Sequence, residues 1–374
     1  MEKKSLSDNI FGLDFMRTIA ILMVLFGHCL LIYPPSQSLI AQVGLFCGFL
    51  GVEVFFVLSG FLVGRILYRM YVEDDFTVNS ILNFFKRRAF RLLPGYYFVL
   101  ILNLIISFII GYAVLDWWKY FIFLQNFSST MLPFFPESWS IPIGVFAFLL
   151  FPMALFLKSK IVKPTHKSLF FFVVVLGLTL FFVFTKVYYA LTTQNTTLNE
   201  WNLDLKAVVI YRLDAVFMGI LAAWVSLYLP TFWKKIKFPF AFLGMLLFGF
   251  LFVGVGFFQF TIETYPNFWN ILYLPLTSLM VLFFLPLLSQ WEATTITFLQ
   301  KPIVYISTIS YSLYLLHYSV ILQLVRFYFP TDKLSMNQLS IFMFCYLVLT
   351  FLLATLLYKF IEKPILNFSS GKNH

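Results

Sequence analysis

Ten times along this chain, about twenty mostly apolar residues follow one another, the length an α-helix needs to cross the hydrocarbon of a bilayer. Inside lipid a helix satisfies its backbone hydrogen bonds within its own segment, which makes it the natural state of such stretches. They fall near 12–33, 48–70, 93–113, 139–157, 168–190, 207–229, 238–260, 268–289, 303–328 and 338–361. We therefore expect an all-α polytopic membrane protein of about ten transmembrane helices. Composition excludes the soluble alternative. Hydrophobic residues make up 61% of the chain and charged residues 11%, whereas soluble domains sit near half apolar and a quarter charged. No polar segment is long enough for a soluble unit, so residues 1–374 read as a single membrane-embedded domain.

The start resembles a secretory signal, because Lys3 and Lys4 precede an apolar run. Asp14 and Arg17 interrupt its entry and no small-residue cleavage site follows, so it reads as the first spanning helix. The aromatic segment 117–127 is short enough to dip partway into the membrane.

Basic residues set the orientation, since cytoplasmic loops collect Lys and Arg. With the N-terminus cytoplasmic, twenty of the 26 fall on that side. Lys119, Lys186, Lys206, Arg212, Arg326 and Lys333 go to the other. Both termini are then cytoplasmic. The net charge of +10 is mostly this topology signal; the bilayer is the implied partner, and no nucleic acid is needed to explain it. Cys29, Cys47 and Cys345 are scattered without metal-ligand spacing, so no metal is expected. No internal repeat and no inverted pair of Gly/Pro-broken helices is evident, which weighs against the commonest transporter folds. Asn195-Thr196-Thr197 matches a glycan-acceptor pattern in an outer loop.

Charges inside spanning segments cost several kcal/mol, about 3 by the milder insertion scales, so each asks for a reason. Arg17 and His28 lie eleven residues apart on the first helix. Eleven steps of about 100° bring their side chains within about 20° of one face, roughly 16 Å apart along the axis. Arg17 then sits near the cytoplasmic face and His28 beyond the midplane. The second helix carries Glu53 at a depth comparable to His28, and a carboxylate there could fix the tautomer of an imidazole acting as general base. Ser59 and Gly60, on the same helix, are small enough to admit another backbone or a thin ligand chain. A packing face with a buried ion pair is the plainer reading of the same residues.

Lys86-Arg87-Arg88-Ala89-Phe90-Arg91 follows on the cytoplasmic side. Topology alone accounts for the charge. Arginine also grips phosphate in a planar, bidentate way, and Arg88 and Arg91 at i, i+3 share a helical face. A phosphate-rich donor or anionic lipid headgroups fit equally. Arg212 and Asp214, two residues apart, point to different faces, so each is expected to pair with a different helix. A structural role is the expectation for these two and for His317.

In this order the residues resemble the acyltransferase-3 family of membrane acyltransferases. The resemblance rests on Arg17–x10–His28, on Glu53 through Phe61, and on Arg88-x-x-Arg91. It continues through Trp139-Ser140, Arg212-Leu213-Asp214 with Gly219, Tyr311-Ser312-Leu313-Tyr314 with His317, and Glu362-Lys363-Pro364. It covers nearly the whole chain. It implies a multi-pass protein of the cell (plasma or inner) membrane that O-acylates, mostly O-acetylates, surface polysaccharide or related acceptors, with acyl-CoA from the cytoplasm as donor substrate. On this resemblance His28 is the catalytic base or acyl acceptor, and Arg17, Arg88 and Arg91 contribute to donor binding or catalysis. Glu53 is a supporting catalytic residue; Ser59 and Gly60 are expected to border the donor because of their small size.

One departure stands out. The family segment after Trp-Ser carries two adjacent glutamates, where this chain has Gly144 and Val145. Glu137, two residues before Trp139, does not share their helical face. Either the acceptor differs or the activity is altered. The leading expectation is acyl transfer from acyl-CoA to a hydroxyl of a glycan or glycolipid; the alternative is a glycan or lipid-linked exporter that keeps the fold without the chemistry.

Overall fold

The computed structural model describes residues 10–369 apart from 36–37, 75, 194, 196 and 294–296. Lys3, Lys4, Lys372 and Thr196, used above, lie outside them. The expected helices form, and no strand occurs among the described residues. In chain order they are α1 (Phe11–Cys29), α2 (Leu39–Val72), α3 (Val78–Ile110), α4 (Ser140–Val162) and α5 (Lys167–Thr192). Then come α6 (Leu213–Tyr228), α7 (Lys237–Gly249), α8 (Leu274–Leu288), α9 (Thr297–Leu316) and α10 (Met336–Leu357). Nine stretches among the described residues are long and apolar enough to span a membrane, and α6 adds a shorter apolar one. The protein is an all-α, multi-pass membrane protein. Segment 117–127 contributes only the short turn Trp118–Phe121. That turn is fastened to α3 by the Tyr96 and Tyr97 hydroxyls, which donate to the carbonyls of Tyr120 and Phe121 at 2.8 and 2.9 Å.

Local chemistry explains the ends. Thr77 and Ser80 form a reciprocal capping box at the start of α3, satisfying two otherwise orphaned donors. Gly111 closes α3 with φ of +86°, a left-handed turn that only glycine adopts without strain. At 34 residues α2 is about 50 Å long, more than the hydrocarbon needs. Large apolar side chains point outward elsewhere, with Phe108 87% and Ile161 82% exposed. Water would penalise that surface; acyl chains do not.

The centre is a packing of α2 against α1 on one side and α6 on the other, with α9 lying along α1. Without a hydrophobic force between helices in lipid, close approach depends on small residues. Gly60 meets Gly219 there. A Cβ added at Gly60 would lie 2.0 Å from the carbonyl oxygen of Val216, and one at Gly219 would lie 2.1 Å from that of Val57. Gly60→Ala should force α2 and α6 apart at a cost of about 1–3 kcal/mol. A thermal-unfolding series in detergent should show a lowered midpoint, and an unchanged midpoint would contradict the close contact.

Two buried ion pairs fasten the same core. Arg212, just before α6, pairs with Glu53 of α2, whose other oxygen accepts from the Ser278 hydroxyl of α8 at 3.2 Å. Asp214 pairs with Lys186 of α5 at 2.7 Å. Arg212 and Asp214 therefore do serve different helices, as their spacing requires. Lys186 and Arg212 are completely buried, so two of the six cations assigned to the outer side are interior groups. Asn195 is buried too, bonded to Tyr189 and Asn270, so the glycan-acceptor asparagine is inaccessible in this fold.

Candidate functional site

A cavity of about 450 Å³ lies between α1, α2, α3, α4 and α9 and the segment after α10. Arg17 and Arg91 line one end, and Arg91 is exposed, so the cavity opens there. Along α2 its wall runs from Ser59 to Val52, a rise of about 10 Å. Its middle is apolar, with Val52, Phe55, Phe56 and Phe148, and Ser140 and Tyr314 line the side contributed by α4 and α9.

At the mouth, Nη1 of Arg17 donates to Asp14 Oδ1 at 3.1 Å and to Ser307 Oγ at 2.8 Å, while Ser307 Oγ donates to the same carboxylate oxygen at 2.6 Å. This three-residue clamp holds the guanidinium in the wall and partly offsets its charge. Arg88 and Arg91 separate. Arg91 lines the cavity, whereas Arg88 is not among its lining residues and lies over the Phe84 ring at 5.5 Å. Ser59 and Gly60 separate as well: Ser59 is in the wall, and Gly60 is spent on the α6 contact. Gly144 also lines the cavity, and the only neighbour a Cβ there would meet is Phe148, at 3.7 Å. The absent side chain leaves open space in the wall.

Beyond Tyr314 lies His28. Its Nδ1 is 2.9 Å from the Val24 carbonyl and 3.3 Å from Nε2 of His317, with the two rings nearly perpendicular at 4.6 Å. Tyr318 covers another side of His28 at 4.9 Å. His317 opens a wide π-helical turn, His317–Gln323, that continues α9, and its Nδ1 is 2.8 Å from the Tyr314 carbonyl. Such turns re-aim side chains and recur at functional sites. Arg17 and His28 thus face one neighbour, at Ser307 and His317, as their shared stripe demands.

Glu53 is not at His28. Its carboxylate is taken by Arg212 and Ser278, which corrects the expectation of a carboxylate–imidazole pair. The reason is helical phase. Gly51 abuts α1 at Ala20, and two residues later the side chain has turned about 200° away, onto the face that Gly60 presents to α6.

The carboxylate nearest the imidazoles in the hydrogen-bond network is Glu137, in the turn Pro136–Trp139 before α4. Its Oε1 accepts from the Ser319 N–H at 2.8 Å and the Ser319 hydroxyl at 2.7 Å, and its carbonyl accepts from the Tyr314 hydroxyl at 2.7 Å. Ser140 Oγ lies 2.7 Å from that Tyr314 oxygen, whose proton is already committed, so Ser140 donates. Lys206, in the turn Trp201–Lys206 outside the spans, lies 4.8 Å from the Trp139 ring and donates to Asn202 at 2.5 Å. Burial, and next the Arg212 charge, push its pKa down to about 8 against the opposing pull of Glu53.

His317, Tyr314, Ser307 and Asp14 were not singled out as site residues from the sequence. A signal was there. Ser307, Ser310, Tyr311, Tyr314 and His317 recur at helical spacing in an apolar segment, a polar stripe that in lipid must face protein or a cavity. Among the described residues no cluster of three His, Cys, Asp or Glu gathers to hold a metal.

A family described as an acyltransferase domain matches residues 10–359. A Staphylococcus aureus (strain COL) protein, provisionally named an O-acetyltransferase, is 28% identical over 393 residues, covering 94% of this chain and 56% of the relative. The O-acetyltransferase OatA of Staphylococcus aureus (strain NCTC 8325 / PS 47) is 26% identical over 385 residues, covering 95% of this chain and 57% of its own. The chain spans little more than half the length of these relatives. No solved structure matches it. With the match running from the start of α1 to the turn after α10, the chain belongs to the acyltransferase-3 family of membrane acyltransferases.

Proposed function

We propose that this protein moves an acyl group, acetyl in the first instance, from cytoplasmic acyl-CoA to a hydroxyl of a surface glycan or glycolipid, working in the cell membrane with both termini cytoplasmic. The observation that carries the reading is the cavity, with arginines at an open mouth, an apolar middle, and His28 past its Tyr314 wall. Arg17 and Arg91 suit the phosphates of CoA, and the narrow apolar stretch suits the pantetheine arm and its thioester. His28 takes the proton of the acceptor hydroxyl as the oxygen attacks the thioester carbonyl. The C–O bond forms and the C–S bond breaks. The CoA thiolate then takes the proton from His28, which restores the neutral ring. O-acetyl transfer is also what the names of the relatives state of those proteins.

The test is chemical analysis of surface-glycan O-acetylation with and without this protein, joined to acetyl-CoA binding by the purified chain. Loss of the O-acetyl groups in its absence, with measurable binding, supports the reading. An exporter that kept only the fold would leave acetyl-CoA unbound and unhydrolysed, and that result would overturn it. The two arginines give a sharper expectation. Arg91→Ala should weaken acetyl-CoA binding by about 10-fold or more, the loss of a charge-assisted contact worth about 1.5–3 kcal/mol. Arg88→Ala, altering a residue outside the cavity wall, should cost markedly less in the same titration.

A further inference from the structure

We propose that His317 is a positioning residue for the transfer reaction, holding His28 in the tautomer whose Nε2 is bare and thereby making that atom the base. The inference rests on the acyl-transfer reading of His28 above.

Donors and acceptors around the two rings fix their tautomers. A neutral imidazole carries a proton on one ring nitrogen and a lone pair on the other. His317 Nδ1 lies 2.8 Å from the Tyr314 carbonyl, which can only accept. That nitrogen therefore carries the proton, and His317 Nε2 presents a lone pair. His28 Nδ1 faces two acceptors at once, the Val24 carbonyl at 2.9 Å and the His317 lone pair at 3.3 Å. It must carry the proton. The lone pair of His28 is then on Nε2, the nitrogen for which the structure gives no protein partner among the described residues.

The arrangement also serves the charged state. When Nε2 takes the acceptor proton, part of the positive charge appears at the Nδ1–H, where two lone pairs already receive it. A carboxylate usually plays this part for a catalytic histidine; here a neutral imidazole does, and Glu53 is committed to Arg212. His317 is fully buried, and its own place is set from both sides by Glu137. Two residues after His317, the Ser319 amide and hydroxyl donate to the Glu137 carboxylate, and three residues before it, the Tyr314 hydroxyl donates to the Glu137 carbonyl. The wide turn is pinned where it aims the ring.

The test has a spectroscopic and a kinetic arm. The chain has four histidines, so a ¹⁵N-histidine-labelled sample in detergent is assignable by the resonances lost in His28→Ala. Neutral His28 should show a protonated Nδ1 and a bare Nε2; a protonated Nε2 there overturns the proposal. For kinetics, labelled acetyl transfer from acetyl-CoA is followed into the glycan fraction of membrane vesicles, per folded protein. His317→Leu should lower the maximal rate by about 10²-fold or more with the KM for acetyl-CoA within about twofold. His317→Gln, whose amide oxygen can reach the Nε2 position, should recover at least tenfold of that loss. A leucine variant with the wild-type rate, or a glutamine variant no better than leucine, refutes the role. If leucine does not fold, the wild-type spectrum and the glutamine variant still decide. Full activity in His28→Ala would instead sink the assignment of His28 itself, while the spectrum would still report the tautomer.

Discussion

His28→Ala should reduce acetyl transfer from acetyl-CoA by about 10³-fold, within the range that general bases contribute, while the protein stays in the membrane and still binds the donor. The imidazole lies beyond the Tyr314 wall of the cavity, and the Nε2 lone pair of the neighbouring imidazole, His317, is aimed at His28 itself. The nearest carboxylate in the network, Glu137, has one oxygen committed to Ser319. Donor affinity should change little, because Arg17 and Arg91 lie at the other end of the cavity. The measurement is a pair of curves, transfer rate and acetyl-CoA binding, on the same preparation. Truncation leaves His317 Nε2 without its partner, at a cost of about 1–3 kcal/mol, so rates are normalised to folded protein. Transfer at the wild-type rate would remove His28 from the reaction.

The second large effect is on stability. Arg212→Leu should destabilise the protein by about 3–5 kcal/mol, because it leaves Glu53 as an uncompensated charge in the centre of the bundle. Replacing both partners, Glu53→Leu with Arg212→Leu, should cost less than either single change, since no lone charge is then left buried. Reversible unfolding in mixed micelles reads the difference, and a double variant as damaged as the sum of the singles would contradict it. The comparison also separates two roles for Glu53. If its work is to fasten α2 to α6 and α8, Glu53→Gln lowers the amount of folded protein more than the transfer rate of each folded molecule.

Much of this was legible in the chain. Spanning helices follow from apolar length because lipid leaves the backbone no alternative, and the split of Arg212 from Asp214 and the common face of Arg17 and His28 follow from about 100° per residue. The same arithmetic places Glu53 opposite Gly51 and with Gly60, so its turn toward α6 was readable once Gly51 was assigned to α1. The His28–His317 contact was not. It joins residues 289 apart in sequence, and it depends on a π-helical turn that no hydrophobic period announces. Glu137 was hidden for a related reason. It precedes α4 in a tight turn, so helical-face arguments exclude it from the positions of Gly144 and Val145 without revealing that it reaches Ser319.

The Glu53–Arg212 pair also has a history within each molecule's synthesis. The two residues are 159 apart, and a ribosome making about 5–20 residues per second needs roughly 8–32 s to cover that distance. Glu53 enters the bilayer with α2, and for that interval its counter-ion does not yet exist. A nascent helix bearing one unanswered acid must be sheltered by lipid headgroups, by water or by the insertion machinery until α6 arrives. The packing of α2 on α1 can precede that moment, but its ion pair with the start of α6 cannot.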